Sequence, residues 1–531
     1  MGYELVWFKR DLRVQDHAAL AHAARLGPVR CVYVIEPDLW QQSDMALQHF
    51  EFIRESLLDL DAQLRAWGGA LDVHWGEMNE VLDRIWHEAP FAGLHSHEET
   101  GNGWTYARDL KVQRWCRDHG VSWHESAQFG VVRRLKSRDQ WLASYEAHMG
   151  QPLQEVHALR FWRNGSHDAS QGLPLNLTHL SAPAHLQHNP SRRQKGGRAL
   201  ALATLHSFLH GRSLGYRGGI SSPLTAPDAC SRLSPYLAWG CISAREVVQA
   251  TREHLAALPP QAMRHRASLQ AFLSRMYWHC HFIQKLESEP QIEWHNMHRG
   301  YDGLREEQFN ASHFEALKQA RTGWPMVDAC VVMLRETGWL NFRMRAMLVS
   351  VAAYPLWLHW RAVGEWLATQ FLDYEPGIHW SQLQMQSGTT GINTTRVYNP
   401  IKQAQDHDPQ GRFVRAWLPA LRRVPDEWLF EPWRMPASEQ QRLGLQVGVD
   451  IASPVVDLAL ATREAKQRLY ARRHTDEVKA GKQAVIDKHA SRLKWRMDGE
   501  RRASPRRAKP KAPAKGLPTP QASAQMGFDF E

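Results

Sequence analysis

Strand-forming runs crowd into one end of this chain, and that asymmetry excludes most folds. "ELVWF" (4–8), "VRCVYVIEP" (29–37) and "ALDVHWG" (70–76) are short apolar segments of strand type. Helical segments stand between them: "DHAALAHAARLGP" (16–28), with Asp16 as its cap and Gly27-Pro28 as its stop, and "MALQHFEFIRESLLDLDAQLRAWG" (45–68). Such alternation predicts an α/β domain with a doubly wound parallel sheet, over residues 1–130. From Ala199 the strand signals nearly vanish, and "ALALATLHSFLHG", "SPYLAWGCISAREVVQATREHLAAL", "ASLQAFLSRMYWHCHFIQKLE", "GWPMVDACVVMLRETGWL" and "NFRMRAMLVSVAAYPLWLHWRAVGEWLATQFLD" read as helices. An all-helical domain is therefore expected over 198–470. The turn-rich stretch between them, residues 131–197, reads as a connector. No G-x-G-x-x-G follows the first strand, so the usual dinucleotide fingerprint is absent.

At 531 residues and 43% hydrophobic, the chain is globular and too long for one core. Its longest apolar stretch, "MLVSVAAYPLWLHW" (347–360), is too short for a membrane span and carries Pro355 and His359. Six cysteines (31, 116, 230, 241, 280, 330) show no C-x-x-C pair, which argues against a disulfide framework, a zinc site or an iron–sulfur cluster. A monomeric, cytoplasmic protein with reduced thiols and no metal is the expectation. Residues 471–531 carry 15 Lys and Arg against 7 Asp and Glu, so they hold +8 of the net charge of +10. Their run "ERRASPRRAKPKAPAK" (500–515) cannot build a core and reads as a disordered basic arm suited to phosphates.

"CSRLSPYLAWG" (230–240) reads as a helix start, with Pro235 in the first turn, Ser234 as the cap, and Arg232 beside free backbone N–H groups. That combination is an anion site without a glycine-rich loop. In "WHCHF" (278–282), His279 and His281 would face apart on a helix and could not share a metal. Arg343 and Arg345, with Asp373 and Glu375 as acidic partners further on, suggest a charge pair beside a ligand, because burying such a pair is costly unless it is fully hydrogen-bonded.

Four segments, "LVWFKRDLRVQDHAAL" (5–20), "CSRLSPYLAWG" (230–240), "RTGWPMVDACVVMLRETGWLNFRMR" (321–345) and "RVYNPIKQAQDHDPQGRFVRAWLPAL" (396–421), resemble the photolyase/cryptochrome family in order and spacing. The resemblance runs from residue 4 to about 440. It implies that the helical domain binds FAD, with Cys230, Ser231, Arg232, Leu233, Ser234 and Tyr216 around the pyrophosphate. Phe272, Asn341, Asp373, Tyr374 and Glu375 would line the cofactor, Arg345 would pair with Asp373, and His379 would face the reactive edge of the ring. It implies damaged DNA as partner, with Arg275 and Arg343 meeting phosphate or lesion, Tyr277 or Trp278 stacking on it, and Met385 nearby. A second, antenna chromophore of folate or deazaflavin type would sit in the N-terminal domain, partly on "HEETGNGWTYARD" (97–109).

The same resemblance exposes departures. Histidine at 379 replaces the usual asparagine or aspartate. Arg275, Ala346 and Met385 stand where dimer photolyases usually carry glutamate, methionine and tryptophan. The expected activity is splitting of cyclobutane pyrimidine dimers by an electron from photoexcited reduced FAD. A cryptochrome-like receptor without repair, or (6-4) photoproduct repair, stays open, although "LNFRMR" replaces the paired histidines typical of (6-4) enzymes. Leu383 falls at the ring-adjacent position of the family's three-tryptophan electron chain, and Glu307 near its outermost one, so a rerouted relay through Trp380 and Trp360 with Trp357 as exit is expected. The C-terminal "QMGFDFE" resembles peptides that bind bacterial sliding clamps, through Gln525, Met526, Phe528 and Phe530.

Overall fold

Alternation at the start of the chain closes into a single five-stranded parallel sheet. β1 (Glu4–Phe8), β2 (Val29–Ile35), β3 (Leu71–Trp75), β4 (Gly93–His97) and β5 (Ser122–Ser126) lie in the order β3-β2-β1-β4-β5 in the computed structural model, which describes residues 2–156, 159–162, 177, 180–392 and 396–491. Both faces are covered, as parallel sheets require. Val6, Phe8, Cys31, Tyr33 and Ile35 enter one core, while Leu5, Trp7, Val32 and Val34 enter another. β4 and β5 do not stand out in the sequence, because "GLHSH" and "SWHES" lack an aliphatic run.

The first helix, α1 (Ala18–Leu26), is capped by His17 rather than Asp16: the His17 ring accepts the Leu20 N–H at 3.0 Å. Asp16 takes the left-handed conformation, φ 47°, and turns its carboxylate away from α1. It accepts from Ser243 Oγ at 2.6 Å, from Arg245 Nε at 3.2 Å and from the Gln154 N–H at 3.0 Å. A residue expected to start a helix instead ties that helix to distant parts of the chain.

Helices account for the regular structure from Arg198 onward. Two expected helical runs are each divided. "SPYLAWGCISAREVV" splits into Ser234–Ala238 and Ala244–Ala257, with Gly240 at φ 69° between them and Ser243 with Glu246 forming a capping box. The run from 341 to 373 splits into Phe342–Ala353 and Trp360–Gln370, where Pro355 cannot continue a helix and Trp357 takes φ 53°. Ser234 is the first residue of its helix and makes no cap; the capping position belongs to Leu233.

The connector is less irregular than expected, for Trp141–Gly150 is a helix that buries Trp141, Tyr145 and Met149. The stretch expected as a disordered arm from 471 is largely helical where it is described. Asp476–His489 is a helix capped by Thr475; it buries Val478, and His489 Nε2 lies 2.7 Å from Glu289 Oε2. Charge composition misled here, because the lysines take the exposed side of a helix whose few apolar and histidine side chains dock. Gln525, Met526, Phe528 and Phe530 lie outside the described residues. Among the described residues, no helix is long and apolar enough to cross a membrane.

The two parts of the chain meet where the loop after β1 touches residues 238–240. Arg10 Nε donates to Ala238 O at 2.8 Å, Leu12 N to Trp239 O at 3.3 Å and Arg13 Nη1 to Gly240 O at 3.1 Å. A Cβ on Gly240 would overlap the Arg10 carbonyl and the Asp11 backbone. Gly240→Ala should therefore cost about 3 kcal/mol of unfolding free energy, from the left-handed backbone and the clash together. Gly303→Ala, at φ 79° with nothing within 4 Å of the added Cβ, should cost only about 1 kcal/mol. Denaturant unfolding of the two variants checks the difference; equal losses would show that the contact of the loop with Gly240 is not tight.

Candidate functional site

A left-handed residue opens the site. Arg232 sits at φ 61°, which lays its guanidinium 3.8 Å from the centre of the Trp339 ring. The loop is fixed from behind: Arg212 donates to the carbonyls of Cys230, Ser231 and Thr204, and Gln194 Nε2 donates to Arg232 O at 3.0 Å. Burial pushes the Arg232 side chain down to about 10 against the pull of Asp373, so it stays charged at neutral pH. Nothing in the sequence singles out Arg212 or Gln194, since neither belongs to a recognisable pattern.

Asp373 collects the charges. Arg345 grips both of its carboxylate oxygens, Nη1 to Oδ1 and Nη2 to Oδ2, each at 2.9 Å, and the Ser234 hydroxyl adds a hydrogen bond. Burial alone would raise this carboxyl, but Arg345, Ser234 and Arg232 outweigh it and hold Asp373 below the usual carboxylate range. Asn341 Nδ2 donates to Ile220 O and Ser221 O at 3.0 Å each, while its Oδ1 is buried without a partner. Tyr216 and Phe272 meet edge-on, ring centres 5.8 Å apart, with Phe208 packed on both.

His379 lies in the helix Pro376–Ser387, its Nε2 2.9 Å from Gly364 O. A carbonyl only accepts, so Nε2 carries the proton and Nδ1 presents a lone pair. Burial pushes the imidazole down to about 4, which leaves it uncharged at neutral pH. Tyr374, beside it at 5.1 Å between ring centres, donates its hydroxyl to Asp44 Oδ2 at 2.6 Å. Arg10 donates to Tyr374 O at 2.8 Å and reaches Glu375 Oε2 at 3.3 Å; burial nevertheless pushes Glu375 up to about 7.

Aromatic rings continue inward from His379. Trp380 is 4.9 Å from its ring and Trp360 a further 6.0 Å on, at 69° to Trp380. Gly364 makes this packing feasible, because a Cβ there would lie 2.5 Å from both Leu383 and Trp380. Trp357 does not join the pair. It precedes the helix that Trp360 opens, lies between Arg305 and Arg468, and bonds to Gln308; among the described residues no ring contact links it to Trp360.

The expected DNA contacts divide. Arg275 reaches the Tyr216 hydroxyl, and Trp278 packs edge-on against His281. Met385 is half-buried on the helix of His379. Tyr277 is not available to stack on anything outside: it is buried against Trp141, Tyr145 and His281, with its hydroxyl 3.3 Å from Ser491 Oγ. The helix Met263–Ser288 turns that side of itself toward the Trp141 helix, an orientation that residue spacing does not fix.

A second cleft opens at the carboxyl ends of β1 and β2, the crevice a doubly wound sheet offers near its switch point. Glu99, Asn102, Thr105 and Arg108, all from the expected antenna segment, help line it with Trp7, Glu36 and Trp40. Arg108 bonds Glu36 at 3.0 Å and Glu99 at 2.6 Å; burial still pushes Glu36 up to about 7.

Comparison with known proteins bears on both regions. The family profile described as "FAD binding domain of DNA photolyase" matches residues 272–471, and that described as "DNA photolyase" matches 4–134. A cryptochrome DASH of Gloeobacter violaceus is 27% identical over 86% of this chain and 93% of its own length. A deoxyribodipyrimidine photo-lyase of Escherichia coli is 26% identical over 86% and 96%. A bacterial class III photolyase structure from Agrobacterium tumefaciens superposes with a TM-score of 0.76 at 22% identity, over 90% of this chain and 98% of that one, and so shares the fold.

Removing the charge of Asp373 tests the centre of the site. Asp373→Asn leaves Arg345 and Arg232 without their counter-ion and should destabilise the protein by about 3 kcal/mol. Because the folded-state carboxyl is held below its ordinary range, the deficit is complete above about pH 4 and shrinks as acid protonates the wild-type group. Unfolding curves at pH 7.5 and at about pH 3 check this; an unchanged midpoint at pH 7.5 would contradict it.

Proposed function

Because the chain belongs to the photolyase/cryptochrome family and carries that family's FAD-binding domain, we propose that it is a light-driven DNA repair enzyme acting on cyclobutane pyrimidine dimers. The residues fit the cofactor. Asn341 Oδ1 is a buried acceptor with no partner of its own, and Arg232 is a cation held over Trp339 by a backbone that only a supported loop adopts. Arg232 with the Cys230–Ser234 backbone and Tyr216 would hold the pyrophosphate; Phe272, Arg345, Asp373 and His379 would line the ring. When bound, the reduced and photoexcited flavin supplies one electron to the lesion and recovers it after the dimer splits.

The protein's part is position and charge. His379, kept neutral and with its proton fixed on Nε2, offers an acceptor rather than a second cation beside Arg345. Trp380 and Trp360 would form a two-ring path that passes to Trp380 an electron supplied to Trp360 by an external reductant such as a thiol in solution. Trp357 is left out of this path. The observation that carries the repair reading is Arg343: among the described residues it makes no hydrogen bond or ion pair, and its Nε is buried without a partner. Its neighbour Arg345 spends its charge on Asp373, whereas Arg343 keeps one for a DNA phosphate or the lesion. A receptor without repair is the second reading, favoured by the burial of Tyr277 and by Arg275, Ala346 and Met385 at positions where the usual lesion contacts differ.

Chemically reduced protein, mixed with ultraviolet-irradiated thymine oligomers under blue light, should restore intact thymines. Arg343→Ala should weaken lesion binding at least tenfold. Trp380→Phe and Trp360→Phe should each slow photoreduction of the oxidised protein by a large factor while leaving repair by pre-reduced protein nearly intact. No restored thymine and no affinity for irradiated over unirradiated DNA would favour the receptor.

A further inference from the structure

Three histidines far apart in sequence meet on one face of the sheet. In the parallel register Glu4 stands opposite Gly93, Val6 opposite His95, and His95 opposite His124. Side chains two apart on a strand share a face, so Glu4, His95 and His124 all project to the side on which α1 lies. From α1, His22 enters the same space. The ring centres form a nearly equilateral triangle: His22 to His95 5.2 Å, His22 to His124 5.1 Å and His95 to His124 5.1 Å. The Nδ1 atoms of His22 and His95 are 3.2 Å apart. Two imidazoles sharing a tetrahedral zinc ion, with Zn–N bonds of about 2.0–2.1 Å, put their donor atoms roughly 3.3 Å apart.

The proton positions suit ligation. His95 Nε2 lies 2.7 Å from Glu4 Oε2, so it donates there and leaves the Nδ1 lone pair turned toward His22. A carboxylate behind a ligating imidazole is the arrangement that fixes tautomer and orientation at zinc sites. Gly93 makes room for that bond, since a Cβ would lie 2.7 Å from Glu4 Oε2 and 3.2 Å from His95 Nε2. Burial and the neighbouring imidazoles push His95 to about 3 and lower His22, so both rings are uncharged at neutral pH; Arg25 is the cation facing His22. His124 is exposed on the edge strand with its ring stacked on that of His95, and it would have to turn that ring to bring a nitrogen to the ion.

A second cluster, Asp11 with His17 and His97, differs in kind. Both rings already bond Asp11 Oδ2, at 3.0 and 2.7 Å, and His17 Nδ1 is committed to the Leu20 N–H, so Nε2 must keep its proton. In that cluster both rings already face the one carboxylate oxygen of Asp11.

We propose that His22, His95 and His124 form a binding site for one borderline divalent cation, zinc above all, with Glu4 orienting His95 and the fourth position open to water or another small ligand. A bound ion would tie α1 to the edge strand β5. The histidine spacing in the sequence gives no hint of this, and the site does not depend on the flavin reading.

Untagged full-length protein, stripped of metal with a chelator, should bind one zinc ion per chain in calorimetric titration at pH 7.5, above any weak background from its other histidines. His124→Ala, at an exposed position where the fold is not at risk, should weaken that site at least 100-fold, and Glu4→Gln by 10- to 100-fold. Cobalt(II) should give visible absorption of tetrahedral type in the wild-type protein and not in His124→Ala or His22→Ala. Equal zinc affinity in wild type and His124→Ala, or no tetrahedral cobalt spectrum in the wild type, would overturn the proposal.

Discussion

Arg10 leaves the end of β1 and closes the seam between the sheet and the helices. It donates to Ala238 O, to Tyr374 O and to Glu375, and its guanidinium lies 4.5 Å from the centre of the Trp239 ring. One side chain thus fixes two stretches of the helical region, the one that follows the Arg232 loop and the one that carries Asp373 and His379. Asp16 does the same a few residues on, through Ser243 and Arg245. These are buried charged groups, and their value lies in geometry: a charge taken from water must be met by partners at set distances, or the seam does not close. Apolar contact alone would let the two units slide.

The same economy governs the pocket. Asp373 is flanked by Arg345 and Arg232, yet of the next titratable groups outward His379 is held neutral by burial, and Glu375 is pushed up to about 7 by burial that outweighs Arg10. A planar cofactor there would meet one ion pair and one neutral acceptor rather than a field of mobile protons. Among the described residues Arg343 is the exception, a half-buried cation without a counter-ion next to a cation that has two bonds to its own.

Much of the architecture was legible in residue pattern. The aliphatic runs of β1, β2 and β3 and the long helices declare themselves because they bury whole faces. β4 and β5 did not, since a parallel strand rich in histidine and serine has no period to read. Of the site, the Arg232 loop and the Arg345–Asp373 pair were found from segments that resemble a known family. Arg10 lies inside one of those segments without its role showing there, while Arg212, Asp44 and Gly364 act through contacts 16 to 330 residues away in sequence. Tyr277 and Trp357 went the other way: sequence position put them at the site, but the side of the helix facing the Trp141 helix buried one, and among the described residues no ring contact joins the other to Trp360.

By itself, the sequence determined the class of the fold through local periodicity, and through its resemblance to a known family it pointed to an FAD-binding domain and to the Arg345–Asp373 pair. Only the tertiary structure decided that Asp16 ties domains instead of capping a helix, that residues 476–489 dock rather than trail, and that His22, His95 and His124 share one space. The reason is the same in each case. These outcomes depend on strand register and on which helix face is buried, and both are set by the packing of segments that the linear order keeps apart.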